Sequence, residues 1–223
     1  MPTLFVHKLE AIQNKIKGKF ISHWYNVITK HNDQMIEVLK QHIIKRLGND
    51  LEHLDLVLSK FKQIETKRKE QLLSEGEVCK YVYFIAKGCL QVYVYDHEMN
   101  ETTRDIVIED HWCSELISFG SGKPATENIR TVESSQLLAI DRKSFQEMME
   151  TVPQFDKVYK QILEASYANS VYRINTFVSL SALERLKWLM ENRPSLLTRV
   201  SSKLIASYLG INKDVFSRLK AKL

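Results

Sequence analysis

The last 23 residues constrain the fold of this chain more than any other segment. They read SSKLIASYLGINKDVFSRLKAKL, and Gly210 divides their apolar residues into two sets with helical spacing. Glycine can take the positive φ of a tight turn, and the small Ala206 lets two helices cross closely. The pattern predicts two short helices joined by a turn. The two apolar sets are Leu204, Ile205 and Leu209 before the turn, and Ile211, Val215 and Leu219 after it.

Such a pair of helices is typical of a helix-turn-helix, whose second helix presents its N-terminal half to base edges in a DNA major groove. The segment from Ser181 to Leu223 has nine Lys and Arg residues against three Asp and Glu residues, a larger excess than the +5 of the whole chain. A basic patch of this kind favours phosphate binding. An ordinary helical hairpin is the alternative. The candidate DNA-binding residues are Ser202, Lys203, Lys213, Asp214, Ser217, Arg218 and Lys220.

The composition fits a soluble protein with two modest domains. The chain has 223 residues, 44% of them hydrophobic and 26% charged. No run of about 18 apolar residues occurs, so no membrane span is expected, and the N-terminal apolar stretch is too short for a signal peptide. Cys79, Cys89 and Cys113 form no CxxC pair, which favours reduced thiols. We therefore expect a cytoplasmic protein.

Between Leu56 and Ile140 the sequence changes to short runs of β-branched and aromatic residues separated by turn residues. Runs of this length and composition are typical of strands. Many short strands with turns between them predict a β-roll or barrel. The predicted strands span 81–85, 90–95, 103–108 and 136–140, with turns at Gly76, Gly88, Asn100, Gly120 and Gly122.

A long helix is predicted over 154–177, after a shorter helix that Asp141 caps and Pro153 interrupts. Apolar steps of three and four residues along the long helix form a heptad-like seam, which favours a homodimer. Packing against its own domain is the alternative. The predicted dimer seam consists of Val158, Ile162, Ala165 and Asn169.

Helices are also predicted on either side of these elements. Ser179 or Ser181 can cap a helix over 182–191, which Pro194 ends. Met35 begins a periodic helix that Gly48 can cap. Residues 1–34 form an N-terminal extension with helical periodicity, and Met35 is an alternative start of the natural chain.

The segment Leu72–Tyr93 reads LLSEGEVCKYVYFIAKGCLQVY. It resembles the cyclic-nucleotide-binding β-roll, whose hallmark is E-G-E, then Y-F-I, then a glycine followed by alternating apolar residues. A roll, a long helix and a helix-turn-helix in that order resemble the cyclic-AMP-receptor and fumarate-nitrate-regulator (Crp/Fnr) superfamily of bacterial transcription regulators. The resemblance covers about residues 35–223.

The resemblance implies an α+β fold with a β-roll (jelly roll) sensor, a dimerisation helix and a C-terminal winged-helix-like helix-turn-helix with a truncated wing. It implies a dimeric DNA-binding regulator that is not an enzyme. Its partners would be double-stranded DNA, a second copy of the chain and RNA polymerase, without a membrane. The expected boundaries are 1–34 for the extension, 35–150 for the sensor, 151–178 for the dimerisation helix and 179–223 for the DNA-binding domain.

The effector pocket is where the sequence departs from the family. In nucleotide-binding members a Gly-Glu pair binds the ribose, and an Arg followed by Ser or Thr binds the phosphate. Glu115 keeps the carboxylate, but Ala125 and Thr126 stand where the phosphate-binding pair would be. Burying a phosphate without a cation is costly, so no cyclic nucleotide is expected unless Lys123 or Arg130 substitutes. The alternative for Glu115 is a structural carboxylate bound to backbone N–H groups.

The sequence offers no other cofactor ligands. Iron–sulfur members of the superfamily carry an N-terminal cysteine cluster, and no cysteine precedes Cys79. His97 and His111 form no His-x-His pair, so neither a haem nor a metal site like that of the similarly shaped cupin enzymes is expected. No cofactor, metal or catalytic residue is therefore expected. The alternative function is a cyclic-nucleotide-binding or protein-interaction module without specific DNA binding.

Overall fold

The protein is described by a computed structural model, which covers residues 34–46 and 53–222. Its strands are β1 (Lys62–Thr66), β2 (Gln71–Leu73), β3 (Tyr81–Lys87), β4 (Cys89–Tyr95), β5 (Glu101–Ile108), β6 (Trp112–Cys113), β7 (Asn128–Thr131) and β8 (Ser135–Asp141). They form two four-stranded sheets, in the orders β1-β8-β3-β6 and β2-β7-β4-β5. The paired strands are antiparallel, and the two sheets enclose one apolar core as a β-roll.

Helices precede, interrupt and follow the roll. In the described residues they are α1 (34–46), α2 (Leu54–Ser59), α3 (Leu116–Ser121), α4 (Arg142–Thr151), α5 (Pro153–Ser179), α6 (Ala182–Asn192), α7 (Leu196–Arg199), α8 (Ser202–Tyr208) and α9 (Lys213–Lys220). None of these helices combines the length and the apolar character that a membrane crossing requires. The predicted N-terminal extension, apart from residue 34, and the predicted cap at Gly48 lie outside the described residues.

The predicted fold class is confirmed, and the four predicted strands correspond to β3, β4, β5 and β8. The sequence does not predict the other four strands. β1 reads KQIET and lies at a sheet edge, where charged residues are tolerated and blur the apolar alternation. β2, β6 and β7 have only two to four residues each, too few to show a period.

Helix caps follow the sequence closely. The Asp141 side chain accepts a hydrogen bond from the Ser144 backbone N–H at 2.9 Å and so begins α4, as predicted. Pro153 is the first residue of α5, where a missing N–H costs nothing. Of the two predicted caps for α6, Ser181 is the one used, in a capping box with Glu184.

Strands β4 and β5 are buried on both faces. Leu90, Val92 and Val107 point into the roll and belong to its core. Cys89 and Ile106, on the outer face, are fully buried in a second apolar cluster with residues of the C-terminal helices. Since side chains alternate across a strand, this burial means that the C-terminal helices pack on the outside of the β4–β5 ribbon.

Helix α1 docks on the roll through His42, which is buried. The Trp112 indole Nε1–H donates to His42 Nε2 at 2.9 Å, and His42 Nδ1 lies 2.5 Å from an Asp110 carboxylate oxygen. The accepting Nε2 requires the neutral imidazole, with its proton on Nδ1 facing Asp110. Burial lowers the pKa of His42, as does Arg46, and the nearby Asp110 carboxylate only partly opposes this.

We expect the stability of the protein to fall as the pH drops below about 6.5, the pKa of an unperturbed histidine. The unfolded chain then binds a proton at His42 that the folded chain resists, which contributes a slope of up to about 1.4 kcal/mol per pH unit. Urea unfolding at several pH values between 5 and 8 measures it. In the variant His42→Gln this contribution should disappear. Parallel stability curves for the two proteins would contradict the role of His42.

Candidate functional site

A cavity of about 300 Å³ lies between α5 and the roll. Its apolar wall includes Val82, Val92, Val107, Leu116, Val158 and Ile162. The polar and charged lining is equally large and consists of His42, Arg46, Arg104, Asp105, Asp110, His111, Ser114, Gln161, Ser166, Asn169 and Arg193. A concave site with an apolar wall and a few polar groups is the usual form of a small-molecule pocket. The volume is at the lower end of the range for such pockets.

A partly buried ion pair borders this cavity. Arg104 contacts the carboxylate of Glu127 through its Nε. Burial raises the pKa of Glu127, although Arg104 opposes the change. Burial alone would lower the pKa of Arg104, but the carboxylates of Glu127 and Asp105 outweigh it and raise it. Arg104 and Glu127 therefore each favour the charged form of the other.

A β-bulge positions Arg104. The register between β4 and β5 runs from Val92 opposite Asp105 to Tyr93 opposite Thr103, so Arg104 is the extra residue on β5. Its guanidinium meets Glu127. The neighbouring Asp105 instead accepts a hydrogen bond from the Asn169 amide of α5 at 2.8 Å.

Glu115, the predicted ribose-binding carboxylate, caps a helix. Its Oε2 accepts a hydrogen bond from the Ser118 backbone N–H at 2.7 Å at the start of α3, and only 5% of the residue is exposed. The geometry fits the structural alternative for this residue. Glu115 is also close enough to Glu127 to raise its pKa. Glu115 and Glu127 thus place two carboxylates beside the single guanidinium of Arg104, which opposes a phosphate at this position.

The loop at the expected phosphate position is hydrogen-bonded to the turn between β2 and β3. The backbone N–H of Ala125 donates to Glu77 O, and its carbonyl accepts from the Gly76 N–H, both at 2.8 Å. Ala125 is buried, while Lys123 and Thr126 are exposed. The backbone N–H that would face a phosphate at this position is therefore already used.

Arg130 does not face the pocket either. Its Nε donates to the Gln91 side chain at 2.9 Å, and its guanidinium forms an ion pair with Glu101 and lies over the Tyr93 ring. Arg130 is therefore engaged with neighbours on β4 and β5. Neither Arg130 nor the exposed Lys123 supplies the missing cation in this arrangement.

The described residues contain no group of three or more His, Cys, Asp and Glu side chains that could hold a metal. His97 is exposed beside Glu98, and His111 interacts with the Glu109 carbonyl oxygen at 2.7 Å. Each of the two histidines is thus explained by its local contacts.

The C-terminal helices form the predicted helix-turn-helix. Ser201 caps α8, and Asn212 caps α9 by accepting a hydrogen bond from the Asp214 N–H at 2.7 Å. Gly210 forms the turn with φ +62°, and a Cβ there would collide with the Phe177 ring of α5. The backbone and the packing therefore both require glycine.

All seven candidate DNA-binding residues are exposed. They come from the start of α8 and from α9. The buried Phe216 holds α9 in place. The arrangement supplies a basic, solvent-facing recognition helix, while the DNA-binding role of these residues stays a prediction.

The predicted dimer seam of α5 divides into two parts. Val158 and Ile162 are 7% and 8% exposed and belong to the core of their own roll, so they are not available to a partner. Ala165 and Asn169 are exposed, and Asn169 donates to Asp105. A different face of α5 is exposed and apolar; we call it the α5 stripe, and it consists of Leu163, Tyr167, Val171, Ile174 and Val178.

Sequence reasoning missed the ion pair of Arg104 and Glu127. Glu127 directly follows Ala125 and Thr126, so a carboxylate next to the missing arginine was a visible signal. Nothing in the sequence indicated that Arg104 contacts Glu127, because the contact depends on the bulge in β5.

Comparison with known proteins agrees with this geometry. Residues 63–152 match the family described as the cyclic nucleotide-binding domain. No curated protein sequence matches the chain.

Several solved structures share the fold. FixK2 from Bradyrhizobium japonicum is 16% identical, with a TM-score of 0.65, over 73% of this chain and 84% of that chain. A putative Crp/Fnr-family regulator from Eubacterium rectale is 16% identical, with a TM-score of 0.63, over 79% and 85%. The c-di-GMP-responsive regulator CLP from Xanthomonas campestris is 15% identical, with a TM-score of 0.62, over 76% and 89%.

The fold is a β-roll joined by a long helix to a C-terminal helical module. Within this class, residues 63–152 match the cyclic nucleotide-binding domain family, and the structural neighbours of the chain include transcription regulators of the Crp/Fnr family.

We expect Glu127→Gln to destabilise the protein by about 1–3 kcal/mol, because it leaves the Arg104 guanidinium without its carboxylate. The effect stays below that of a fully buried pair, since 40% of the Arg104 side chain is exposed. Chemical denaturation measures it. The exposed Glu150 on α4 provides the matched control, Glu150→Gln, which should change stability by less than about 0.5 kcal/mol. Equal effects of the two substitutions would contradict the pairing.

Proposed function

We propose that this protein is a dimeric, DNA-binding transcription regulator of the Crp/Fnr type. The observation that carries the proposal is the exposed basic face of the helix-turn-helix on a chain with the Crp/Fnr fold. The sensor is residues 35–150, the dimerisation helix 151–178 and the DNA-binding domain 179–223. We place the protein in the cytoplasm, where its DNA and RNA polymerase would be, and assign it no enzymatic activity.

Helices α8 and α9 contact different parts of the DNA. Helix α9 enters the major groove with Lys213, Asp214 and Ser217 on its first two turns, and with Arg218 behind them. Arg218 reads a guanine, because a guanidinium matches the two acceptors of that base. Ser202 and Lys203 at the start of α8, together with Lys220, contact phosphates.

Substitution of Arg218 by Ala should relax sequence preference, with a loss of about 1–3 kcal/mol on the selected site only. Lys220→Ala serves as the comparison and should weaken binding to all duplexes alike, with a shallower salt dependence. The measurement is fluorescence anisotropy with a duplex selected from a random pool and with a scrambled duplex, at several salt concentrations. If Arg218→Ala weakens both duplexes equally, Arg218 binds only phosphate.

The dimer contact is the α5 stripe. Its residues recur at steps of three and four, and Ile174 and Val178 are 62% and 83% exposed. An apolar stripe at this spacing on a long helix is typical of a coiled-coil seam. Two copies paired along it would relate their recognition helices by a two-fold axis, which suits half-sites about 34–36 Å apart.

Ile174→Glu should give a folded monomer. A carboxylate in the seam has no partner, so the dimer dissociation constant should rise by at least about a hundredfold. Sedimentation velocity measures it, and circular dichroism checks the fold. The exposed Ala168 lies on another side of the helix, so Ala168→Glu should remain a dimer. An Ile174→Glu protein that stays dimeric would place the contact elsewhere.

The effector of the sensor is not a cyclic nucleotide. The carboxylates of Glu115 and Glu127 outnumber the single guanidinium of Arg104, and the Ala125 N–H is used by the carbonyl of Glu77. A cyclic phosphate would therefore meet negative charge where it needs a cation. The cavity beside α5 instead suits a small molecule with both apolar and polar groups, because its wall is partly apolar and partly charged.

We expect cyclic AMP and cyclic GMP to show no micromolar binding in calorimetry, and DNA binding not to require them. Loss of the phosphate cation costs about 3–5 kcal/mol, which is more than a hundredfold in affinity. Lys123→Ala is the informative variant. A micromolar isotherm for the wild type that disappears in this variant would refute the proposal and show that Lys123 supplies the cation.

The alternative is a protein-interaction or nucleotide-binding module without specific DNA binding. The salt dependence of binding distinguishes the two functions, since neutralising DNA phosphates gives a steep dependence that an apolar helical contact lacks.

A further inference from the structure

The helix-turn-helix module is packed against the outside of the sensor. The roll contributes Cys89 and Ile106, both 0% exposed, to an apolar cluster with Leu196, Val200 and Ile205 of the module. Because burial on the outer face of a strand requires a covering element, the module is what covers this part of the β4–β5 ribbon. The contact joins the proposed sensor directly to the proposed DNA-binding domain, in addition to the covalent connection through α5.

One arginine clamps the edge of this contact. Arg199, at the end of α7, donates from Nη1 and Nη2 to the two carboxylate oxygens of Glu109 at 2.8 and 2.7 Å. Its Nη2 also contacts the Glu133 carboxylate and donates to Gly88 O at 3.2 Å. We call Arg199, Glu109 and Glu133 the latch. A two-pronged arginine–carboxylate contact is both stronger and more directional than a single ion pair.

The charge states of the latch are mutually fixed. Hydrogen bonds from Arg199 to Glu109 and Glu133 raise the pKa of the guanidinium further above its usual value. Burial opposes ionisation of Glu109, but Arg199 and the Gly88 N–H together hold the pKa of that carboxyl below its usual value. Arg199 and Glu109 therefore stay charged at neutral pH.

A second set of polar contacts lies along β5. Arg193, the residue after α6, donates to Ile106 O at 2.7 Å and to the Tyr208 hydroxyl at 3.2 Å. The Thr103 backbone N–H donates to the Ser207 hydroxyl of α8 at 2.8 Å. The module thus has one defined orientation on the roll, because these hydrogen bonds are directional and add to the apolar contacts.

Docking does not hide the recognition helix. The roll is covered by α6, α7 and α8, whereas Lys213, Ser217 and Arg218 of α9 remain exposed. The docked orientation therefore presents the DNA-binding face. Fixing this orientation before binding removes an entropy cost that a freely rotating module would bear.

On these grounds we propose, resting on the DNA-binding function above, that the latch holds the helix-turn-helix module in its DNA-competent orientation and that opening the latch switches DNA binding off. The bulge in β5 gives the sensor a route to the latch. Arg104 borders the cavity. The next residue, Asp105, contacts Asn169 of α5 and lies 3.8 Å from Arg193, which follows α6. A molecule in the cavity that shifts this bulge therefore changes the contacts by which β5 holds the module.

Cys89 reports opening of the latch directly. Its thiol lies under the module, and burial raises its pKa to about 12, so it should react with N-ethylmaleimide only when the module detaches. Cys79 and Cys113 are buried within the roll itself and act as internal controls. Mass spectrometry of the labelled peptides gives a rate for each thiol in the full-length protein.

The variants to compare are Arg199→Gln and the double variant Glu109→Gln with Glu133→Gln, with Glu150→Gln as the matched control. Loss of the charge-assisted contacts should accelerate Cys89 labelling by roughly ten- to a hundredfold. Cys79 and Cys113 should stay at their wild-type rates, and the control should match the wild type. Unchanged Cys89 labelling would overturn the latch, as would equal acceleration of all three thiols, which would show that the cluster stabilises the whole fold.

Adding a selected DNA duplex tests the direction of the switch. DNA should slow Cys89 labelling of the wild type, and the latch variants should bind the duplex at least about tenfold more weakly. Faster labelling with DNA, or tighter binding by the variants, would show that the docked orientation is the inactive one and would overturn the proposal. If the wild type selects no duplex, the DNA-binding function fails, while the labelling rates still decide whether the latch holds the module.

Discussion

The burial of both faces of the β4–β5 ribbon is the constraint on which the arrangement of this protein depends. Leu90 and Val107 close the roll from inside, while Cys89 and Ile106 require a cover from outside. The helix-turn-helix module supplies that cover, and Arg199 fixes it to Glu109 at the rim. A roll and a helical module that share one sheet in this way cannot move independently without exposing apolar surface to water.

A partly buried ion pair lies beside the cavity of the roll. Arg104 and Glu127 neutralise each other, and Glu115 is used to cap α3. Glu115 and Arg130 have partners within the chain, and Ala125 stands at the position expected for a phosphate-binding arginine. The roll itself rests on turns and apolar packing, and neither depends on an arginine at the position of Ala125.

Prediction from sequence was most successful where a local signal carries the information. The caps at Asp141 and Ser181, the turn at Gly210 and the four apolar strands follow from residue chemistry and periodicity, and the structure confirms them. The long helix was also predicted, but Val158 and Ile162 of its predicted seam lie in the core of the roll. Steps of three and four residues occur on both apolar sides of α5, and periodicity cannot tell which side meets the roll.

The sequence alone determined the order of modules, the glycine turn of the helix-turn-helix, the exposed charge of α9 and the absence of an arginine at Ala125, because each depends on residues close together in the chain. Only the tertiary structure decided that Arg104 meets Glu127, that Arg199 meets Glu109 and that Asn169 meets Asp105. These partners are 23, 90 and 64 residues apart. A bulge in β5 and the docking of one module on another bring them together, and neither leaves a periodic trace in the sequence.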